Sequence, residues 1–297
     1  MFTSVSKSPR GQNYNKNETS ANDNITSLVI LQRWPIKTWN SLAERVIYQA
    51  RKIRTLEKED SQNFMLILSQ SDLDEFLQKR KSNSDLIGGL LGTEGSHALD
   101  GELKNIERLF NEGFRMMSLQ HFFDNKLGGS LHGISGNGLT QFGQEAIQEM
   151  LRLGIMIDVS HSSENVVNDV LNLSDQPILV SHTGFNGHCP SSRNISDSLM
   201  KEIAKKDGLV AVGFWDAAVC NNTPQSVAEA IQYGIELIGA KHVALGSDFD
   251  GAVRPGFDTS ELVAITHELL EAGVKESEIR LVMGENMLNF LKKNLTD

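Results

Sequence analysis

Short apolar runs along the chain alternate with segments in which apolar residues recur at helical spacing. In one such segment Trp39, Leu42, Val46, Ala50 and Ile53 share one face, while charged residues fill the other, so we predict an amphipathic helix. The alternation is typical of repeated strand, helix, strand units with parallel strands. The predicted strands are residues 64–68, 86–91, 115–119, 155–159, 178–180, 209–214 and 243–245.

Continuous apolar strands between helices indicate a parallel sheet buried on both faces, which belongs to a doubly wound sheet or a barrel. A doubly wound sheet gathers its ligands at one switch point, whereas a barrel collects functional residues from many strand ends around one mouth. Polar residues that follow successive predicted strands favour the barrel. We therefore predict an α/β protein with a single barrel domain over residues 1–297. The strand-end residues are Glu94, His121, His161, His182 and Asp248.

Composition narrows the choice of partners. The chain has 297 residues, with 28 Lys and Arg against 38 Asp and Glu, a net charge of −10. This charge argues against nucleic acid as a partner. No run of 18 apolar residues occurs, and the polar start lacks the apolar centre of a signal peptide, so we expect a soluble protein without a membrane partner. Residues 6–26, rich in Asn, Ser, Lys and Thr, are predicted to form a loop or flexible arm.

The two cysteines bear on the compartment. Cys189 and Cys220 are too few for a framework of several disulfides. We expect two free thiols, which suit a reducing compartment, and hence a cytoplasmic protein.

Two predicted strands each end in the dipeptide Ser-His, at Ser160-His161 and at Ser181-His182. Neighbouring parallel strands lie about 4.8 Å apart, so the two histidines could share one metal ion. Neutral imidazole is the commonest metal ligand among side chains. A single strand-end histidine more often caps the strand or makes a local hydrogen bond, and the metal interpretation therefore depends on the pair.

Glu94 follows a predicted strand in the sequence Gly92-Thr93-Glu94-Gly95. A carboxylate here could complete a metal site with two histidines and one glutamate, which leaves a coordination position open for water. The alternative is a solvated loop glutamate. His97, three residues further on, is a less persuasive ligand.

Asp248 lies at the end of the last predicted strand, in the sequence Gly-Ser-Asp-Phe-Asp-Gly. The spacing of Asp248 and Asp250 is similar to that of a calcium loop, but the downstream glutamate and the flanking helices of an EF-hand are absent. An acid in this place suits proton transfer in a hydrolysis. The alternative role, capping the next turn, fits Asp250 better.

His121 and Arg193 are candidates for binding a substrate. His121 ends a predicted strand and could donate a hydrogen bond to a developing oxyanion, although a local hydrogen bond is an equal alternative. Arg193 follows His182 in a loop, where a guanidinium can hold a carboxylate through two hydrogen bonds. A surface arginine without a specific role is the commoner case. Serine-hydrolase, HExxH and P-loop motifs are absent.

Taken in order, the motifs around Glu94, His121, Asp158-Val159-Ser160-His161, Ser181-His182 with Arg193, and Asp248 resemble those of the membrane dipeptidase family. The resemblance implies a zinc-dependent dipeptidase with a (β/α)8 TIM-type barrel of the metal-dependent amidohydrolase type, which hydrolyses dipeptides by a metal-activated water. Dipeptides with a C-terminal D-residue are included in that expectation, and so is a homodimer. Two zinc ions occur in the family.

The resemblance also implies a role for each site residue. Glu94, His161 and His182 would be metal ligands, with Glu94 bridging both ions. His121 would bind substrate and polarise the scissile carbonyl, Arg193 would hold the terminal carboxylate, and Asp248 would transfer the proton.

One family feature is missing. The family's first barrel strand carries a His-x-Asp pair that binds the first zinc, but no histidine precedes His97. Residues 1–5 are similar to the second barrel strand, which places the first strand upstream of Met1 and makes residues 64–68 an accessory strand. We expect a shortened form of a functional dipeptidase; the alternative is a natural variant with one zinc.

Two other functions stay open from the sequence. One is a mononuclear amidohydrolase that acts on another small amide or a lactone. The other is an inactive remnant that binds a metal or a partner.

Overall fold

The computed structural model describes residues 26–250 and 253–297. The predicted second barrel strand, residues 1–5, lies outside the described residues, as does the predicted arm up to residue 25. Thr26 opens the first described helix, α1.

Eight short strands are present in the part of the chain that the structure describes. β1 and β2 form a two-stranded sheet, and β3 to β8 form a six-stranded sheet in chain order. Every pairing for which the register is resolved is parallel. The strands are β1 (Phe64–Leu66), β2 (Ile87–Gly89), β3 (Leu91–Thr93), β4 (Phe114–Ser118), β5 (Met156–Asp158), β6 (Leu179–Thr183), β7 (Leu209–Val212) and β8 (Val243–Leu245).

Helices follow most of the strands, as expected for parallel neighbours that need a crossover connection. The described α-helices are α1 (Thr26–Leu31), α2 (Leu42–Glu59), α3 (Gln70–Arg80), α4 (Lys104–Asn111), α5 (Gln141–Leu153), α6 (Glu164–Leu173), α7 (Asp197–Lys205), α8 (Asp216–Val219), α9 (Pro224–Ile238), α10 (Val263–Glu271), α11 (Glu276–Arg280) and α12 (Asn286–Asn294). These alternating elements confirm the predicted α/β class.

The single predicted strand over residues 86–91 is wrong. The chain forms β2, which pairs with β1, and then β3, which pairs with β4. The continuous run of apolar residues and glycines gives no sign of this change of sheet. Gly88 and Gly89 allow close packing inside it: a Cβ on Gly88 would lie 2.8 Å from the Phe76 ring, and one on Gly89 would lie 2.8 Å from the Phe64 ring. The accessory status of β1, outside the larger sheet, is confirmed.

Helix starts follow local capping chemistry. The predicted amphipathic helix begins at Leu42 rather than at Trp39, because the Ser41 side chain accepts a hydrogen bond from the Glu44 amide and caps the first turn. Thr140 caps α5 in the same way, and Gly154 ends that helix with a φ of 72°.

The described chain divides into two compact units. The first holds β1 to β4, Met156 and Ile157 of β5, residues 161–166 and the C-terminal six residues. The second holds residues 158–160 and 167–291, and therefore β6, β7 and β8. The interpretation of residues 1–297 as one domain stays a prediction.

Each unit has its own apolar core. Ile106, Leu109, Phe114 and Ile147 are fully buried in the first unit. In the second unit, all four residues of β7 are buried, as expected of a strand covered on both faces, together with Ile231 of α9 and Ile265 of α10.

The cysteines are bonded to each other. Cys189 and Cys220, both in the second unit, form a disulfide with a Cα–Cα distance of 5.5 Å. The expectation of two free thiols was wrong, because the residues are 31 positions apart and only the tertiary structure brings the loops after β6 and β7 together. Among the described residues, no helix is long and apolar enough to cross a membrane.

Candidate functional site

Three predicted site residues of the first unit converge. The carboxylate Oε1 of Glu94 lies 3.0 Å from His161 Nε2 and 3.4 Å from His121 Nε2. Glu94, His121 and His161 each offer one ligand atom, and these atoms all lie within 4.8 Å of one another. We call these three residues the Glu94 cluster.

Each member of the Glu94 cluster lies just past a strand end. Glu94 follows β3, His121 follows β4, and His161 follows β5. Parallel strands end at the same edge of a sheet, so these side chains gather there. The two histidines are buried, with exposures of 1% for His121 and 4% for His161.

The backbone around the Glu94 cluster takes unusual conformations. His161 has a φ of 65°, in the left-handed region that few non-glycine residues adopt. Gly95 has a φ of 86°, and a Cβ there would lie 2.7 Å from His97 Nδ1 and 3.1 Å from His121 Cβ. Strained backbone of this kind concentrates at functional sites, because the surrounding structure must hold it.

A third histidine, His132, supports the cluster. His132 Nε2 lies 3.0 Å from His161 Nδ1, the ring nitrogen opposite to the one that faces Glu94. The rings of Phe122 and His161 pack edge to face, with centroids 5.6 Å apart. The hydroxyl of Ser130 donates to the carbonyl of His121, and the same hydroxyl oxygen lies 3.2 Å from the carbonyl oxygen of His161. The orientation of the His161 ring is therefore fixed from the side away from Glu94.

His97 is buried close to this site without contributing to the cluster. Burial lowers the pKa of His97 to about 4, because a charged imidazole loses its hydration there. Neither ring nitrogen has a hydrogen-bond partner among the residues that the structure describes. His97 therefore stays neutral at ordinary pH.

The second unit places His182 in a network of buried polar groups. Ser181 Oγ lies 2.6 Å from Asp158 Oδ2 and 2.9 Å from His182 Nδ1. Ser160 Oγ accepts a hydrogen bond from the His182 amide at 3.1 Å and lies 3.1 Å from Ser181 Oγ. We call Asp158, Ser160, Ser181 and His182 the His182 network.

Arg193 is not a surface residue. Its side chain is 5% exposed, and Nη2 donates to the His182 carbonyl at 2.7 Å. The guanidinium carbon lies 5.3 Å from the centroid of the Trp215 ring, a cation–π arrangement. The surface alternative is therefore wrong: Arg193 has a fixed, buried position in the second unit.

Asp248 also has a constrained backbone. It follows β8 with a φ of 59° and is partly exposed. Asp250, two residues on, is exposed. The next residue, Phe249, packs its ring edge to face against buried Phe214, with centroids 5.6 Å apart.

The chemistry of the Glu94 cluster fits a metal ion. Two imidazole nitrogens and one carboxylate oxygen form a donor set that zinc accepts. Nearly full burial of both rings lowers competition from water for these positions. A first metal site can therefore be built from residues of the first unit.

Comparison with known proteins decides the family. The model of the membrane dipeptidase family, peptidase family M19, matches residues 13–296. The chain belongs to this family. The family predicted from the sequence motifs is thereby confirmed.

Individual members and solved structures agree with this assignment. The chain is 34% identical to the dipeptidase aclJ of Aspergillus oryzae over 220 residues. This match covers 69% of the chain and 51% of the relative's length. An amidohydrolase structure from Pseudomonas aeruginosa is 25% identical, with a TM-score of 0.73 over 83% of each chain. A metallopeptidase from Rhodobacter sphaeroides, liganded with a phosphinate mimic of the dipeptide L-Ala-D-Ala, is 24% identical, with a TM-score of 0.72 over 84% of this chain and 74% of that one. These folds are consistent with a TIM-type barrel.

Sequence reasoning missed several residues of this M19 protein's sites. His132 lies in a loop rich in glycine and serine, and nothing in its neighbours indicates that it contacts His161. Ser160 and Ser181 were noticed only as parts of the Ser-His pairs. The repeated dipeptide was the available signal, because a serine before each strand-end histidine is well placed to bond across neighbouring strands.

Proposed function

We propose that this M19 family member is a metallodipeptidase that hydrolyses the peptide bond of dipeptides. The observation that carries the proposal is the convergence of the Glu94, His121 and His161 ligand atoms, in a chain whose family match covers residues 13–296. Because the matched part spans about half of the aclJ relative's length, the relative's activity is not transferred directly.

For the metal, we propose zinc held by Glu94, His161 and His182, with His121, the third member of the Glu94 cluster, left to bind the substrate rather than the ion. Imidazole and carboxylate ligands suit zinc, and the support for His182 comes from the family resemblance and its strand-end position. When bound, zinc supplies Lewis acidity and activates water near neutral pH. The proposal requires at least one ion; two would require ligands beyond the residues named above.

For the substrate, we propose that Arg193 binds the terminal carboxylate of a dipeptide. Its guanidinium is held in a fixed position near the Trp215 ring, so a carboxylate that binds to it costs little further side-chain entropy. His121 Nε2 would bind the oxygen of the scissile carbonyl, and a carboxylate oxygen of Asp248 would carry the proton to the leaving amine.

The substrate proposal is tested by removing one charge from the substrate. Purified protein should hydrolyse L-Ala-D-Ala and L-Ala-L-Ala but leave the C-terminally amidated dipeptides intact, because Arg193 then lacks its partner. Arg193→Lys should raise KM far more than it lowers kcat. Equal hydrolysis of amidated dipeptides would overturn the role of Arg193 and favour a general small-amide hydrolase.

The catalytic proposal is tested on Asp248. Asp248→Asn should abolish hydrolysis while the circular dichroism spectrum stays that of the wild type. Asp250→Asn is the matched control two residues away, and it should keep activity, since that side chain is exposed. Unchanged activity in Asp248→Asn would refute the proton-transfer role and favour the non-enzymatic alternative.

Hydrolysis of dipeptides with a C-terminal D-residue, a homodimer and a cytoplasmic location stay predictions. The rates on L-Ala-D-Ala and L-Ala-L-Ala test the first, and sedimentation velocity tests the second. The cytoplasmic prediction has lost one argument, because it rested partly on free thiols and the two cysteines are bonded.

A further inference from the structure

We propose that Asp158 is a positioning residue, which acts through Ser181 to fix the position of the proton on the His182 ring. The inference deepens the proposed function, and rests on it, because it concerns His182 as a metal ligand. It is carried by the directions that the hydrogen bonds in the His182 network must take.

The carboxylate of Asp158 accepts three hydrogen bonds, which restrict its rotation. Its Oδ1 accepts the backbone N–H groups of Ser160 and Ser181, each at 3.0 Å. Its Oδ2 is thereby turned toward Ser181 Oγ, at 2.6 Å, a typical length for an O–H group that donates to a charged oxygen. Asp158 is 1% exposed, so little water competes for these bonds.

The direction of each bond follows from counting protons. An ionised carboxylate can only accept, so Ser181 donates its single hydroxyl proton to Asp158. Ser181 Oγ can then only accept from His182 Nδ1, which lies 2.9 Å away. The His182 ring therefore carries its proton on Nδ1 when it is neutral, and the lone pair is on Nε2.

A lone pair on Nε2 is what a metal ligand at this nitrogen requires. Metal-binding histidines commonly donate their second ring N–H to an oxygen acceptor, which fixes both the tautomer and the ring orientation. Here that acceptor is a serine hydroxyl, polarised by a buried carboxylate. The bond from the His182 amide to Ser160 Oγ, at 3.1 Å, holds the backbone of the same residue.

A purely structural role for Asp158 would also explain part of this geometry. Asp158 accepts one backbone N–H group just after β5 and one within β6, and this alone stabilises the fold. The two roles differ at Ser181. Removing its hydroxyl leaves both backbone bonds of Asp158 intact but breaks the path to His182.

The first experiment reads the tautomer directly, without metal and without substrate. Protein labelled with 15N-histidine is studied at pH 8 by two-bond 1H–15N NMR, and the His182 signals are assigned from their loss in His182→Gln. We expect an Nδ1–H tautomer in the wild type. In Asp158→Asn, the new amide N–H faces Ser181, whose proton must turn to Ser160 or His182, so the Nε2–H tautomer becomes populated.

Ser181 variants separate the relay from a structural role. Ser181→Ala should populate the Nε2–H tautomer, whereas Ser181→Thr, which keeps the hydroxyl, should restore the wild-type spectrum. Ser226→Ala removes another buried serine hydroxyl of the same unit, one that bonds to Thr223, and should leave the His182 tautomer unchanged. An Nε2–H tautomer in the wild type, or an unchanged tautomer in both Asp158→Asn and Ser181→Ala, would overturn the proposal.

The second experiment measures Zn²⁺ affinity by competition with a chelating dye. Removing the hydrogen-bond partner of a metal-binding histidine commonly weakens metal binding 10- to 100-fold. We expect Zn²⁺ affinity to fall by this factor in Asp158→Asn and in Ser181→Ala. The double variant should lose no more than the larger single loss, because both changes break the same path. Additive losses would contradict the relay.

The two proposals fail in different ways. The expected tautomers without dipeptide hydrolysis would support the relay and count against the dipeptidase function. Dipeptide hydrolysis with an unchanged tautomer in Asp158→Asn and Ser181→Ala would support the function and overturn the relay.

Discussion

Buried His97 makes the stability of this protein sensitive to acid. Its pKa lies near 4 in the folded chain, because burial disfavours the charged ring, against an ordinary value of 6.5. The unfolded chain therefore binds a proton at this position between pH 6.5 and about pH 4, while the folded chain does not. The free energy of unfolding rises with pH over that window, so this contribution is present above pH 6.5 and is lost as the pH falls toward 4.

The size of the effect follows from the interval between the two pKa values. At about 1.4 kcal/mol per pH unit, the interval from 6.5 to about 4 corresponds to about 3 kcal/mol. His97→Leu removes the titrating group and keeps a similar volume. At neutral pH this variant should be nearly as stable as the wild type, because the two ring nitrogens that it removes have no hydrogen-bond partner among the described residues.

The assay is urea unfolding, followed by circular dichroism from pH 7.5 to pH 4.5. The difference in unfolding free energy between His97→Leu and the wild type should grow by 2 to 3 kcal/mol toward the acid end, by the linkage argument above. All other groups are the same in both proteins, so their contributions cancel in the difference. His267→Leu, at an exposed histidine, is the control and should show no such growth. A constant difference for His97→Leu, or a His97 ring that titrates near pH 6.5 by NMR, would refute the argument.

Three further predictions follow from single contacts. Gly95→Ala should lower the free energy of unfolding by about 1 to 3 kcal/mol in urea titrations, because φ is 86° and a Cβ would lie 2.7 Å from His97 Nδ1. Gly136 also has a positive φ but has open space around it, so Gly136→Ala should lower the free energy of unfolding by less. His132→Ala should weaken Zn²⁺ binding about 10- to 100-fold by dye competition, because His161 loses the partner of its Nδ1, and an unchanged affinity would exclude that support. Reducing the Cys189–Cys220 disulfide, which spans 31 positions, should lower the unfolding free energy by roughly 4 kcal/mol on chain-entropy grounds, with Cys189→Ala/Cys220→Ala insensitive to reductant.

The bounds of the strands show how well the pattern of apolar residues predicts secondary structure. Residues 243–245 were predicted as a strand and form β8 with the same bounds, and residues 115–119 differ from β4 by one position at each end. β8 is apolar throughout, whereas β4 carries Arg115 and Ser118 among its apolar residues. The prediction of one strand over residues 86–91 was wrong because Ile87 and Leu91 are both apolar. The sheet that each residue joins depends on partners elsewhere in the sequence.

The candidate site was predictable where one residue type carries the chemistry. Glu94, His121 and His161 were found as acids and histidines after strands, and the structure brings their ligand atoms within 4.8 Å. His132 was not found, because its role depends on a contact with His161 across 29 positions of chain, in a loop without periodicity.

The sequence by itself determined the alternation of strands and helices, the family and the candidate residues at the strand ends, because these depend on local polarity and on motifs of a few residues. The tertiary structure alone decided that Cys189 and Cys220 are bonded, that Arg193 is buried and that Asp158 reaches His182 through Ser181. Each of these facts depends on the distance and direction between groups on different strands or loops. Residue types and their spacing along one chain do not contain that information.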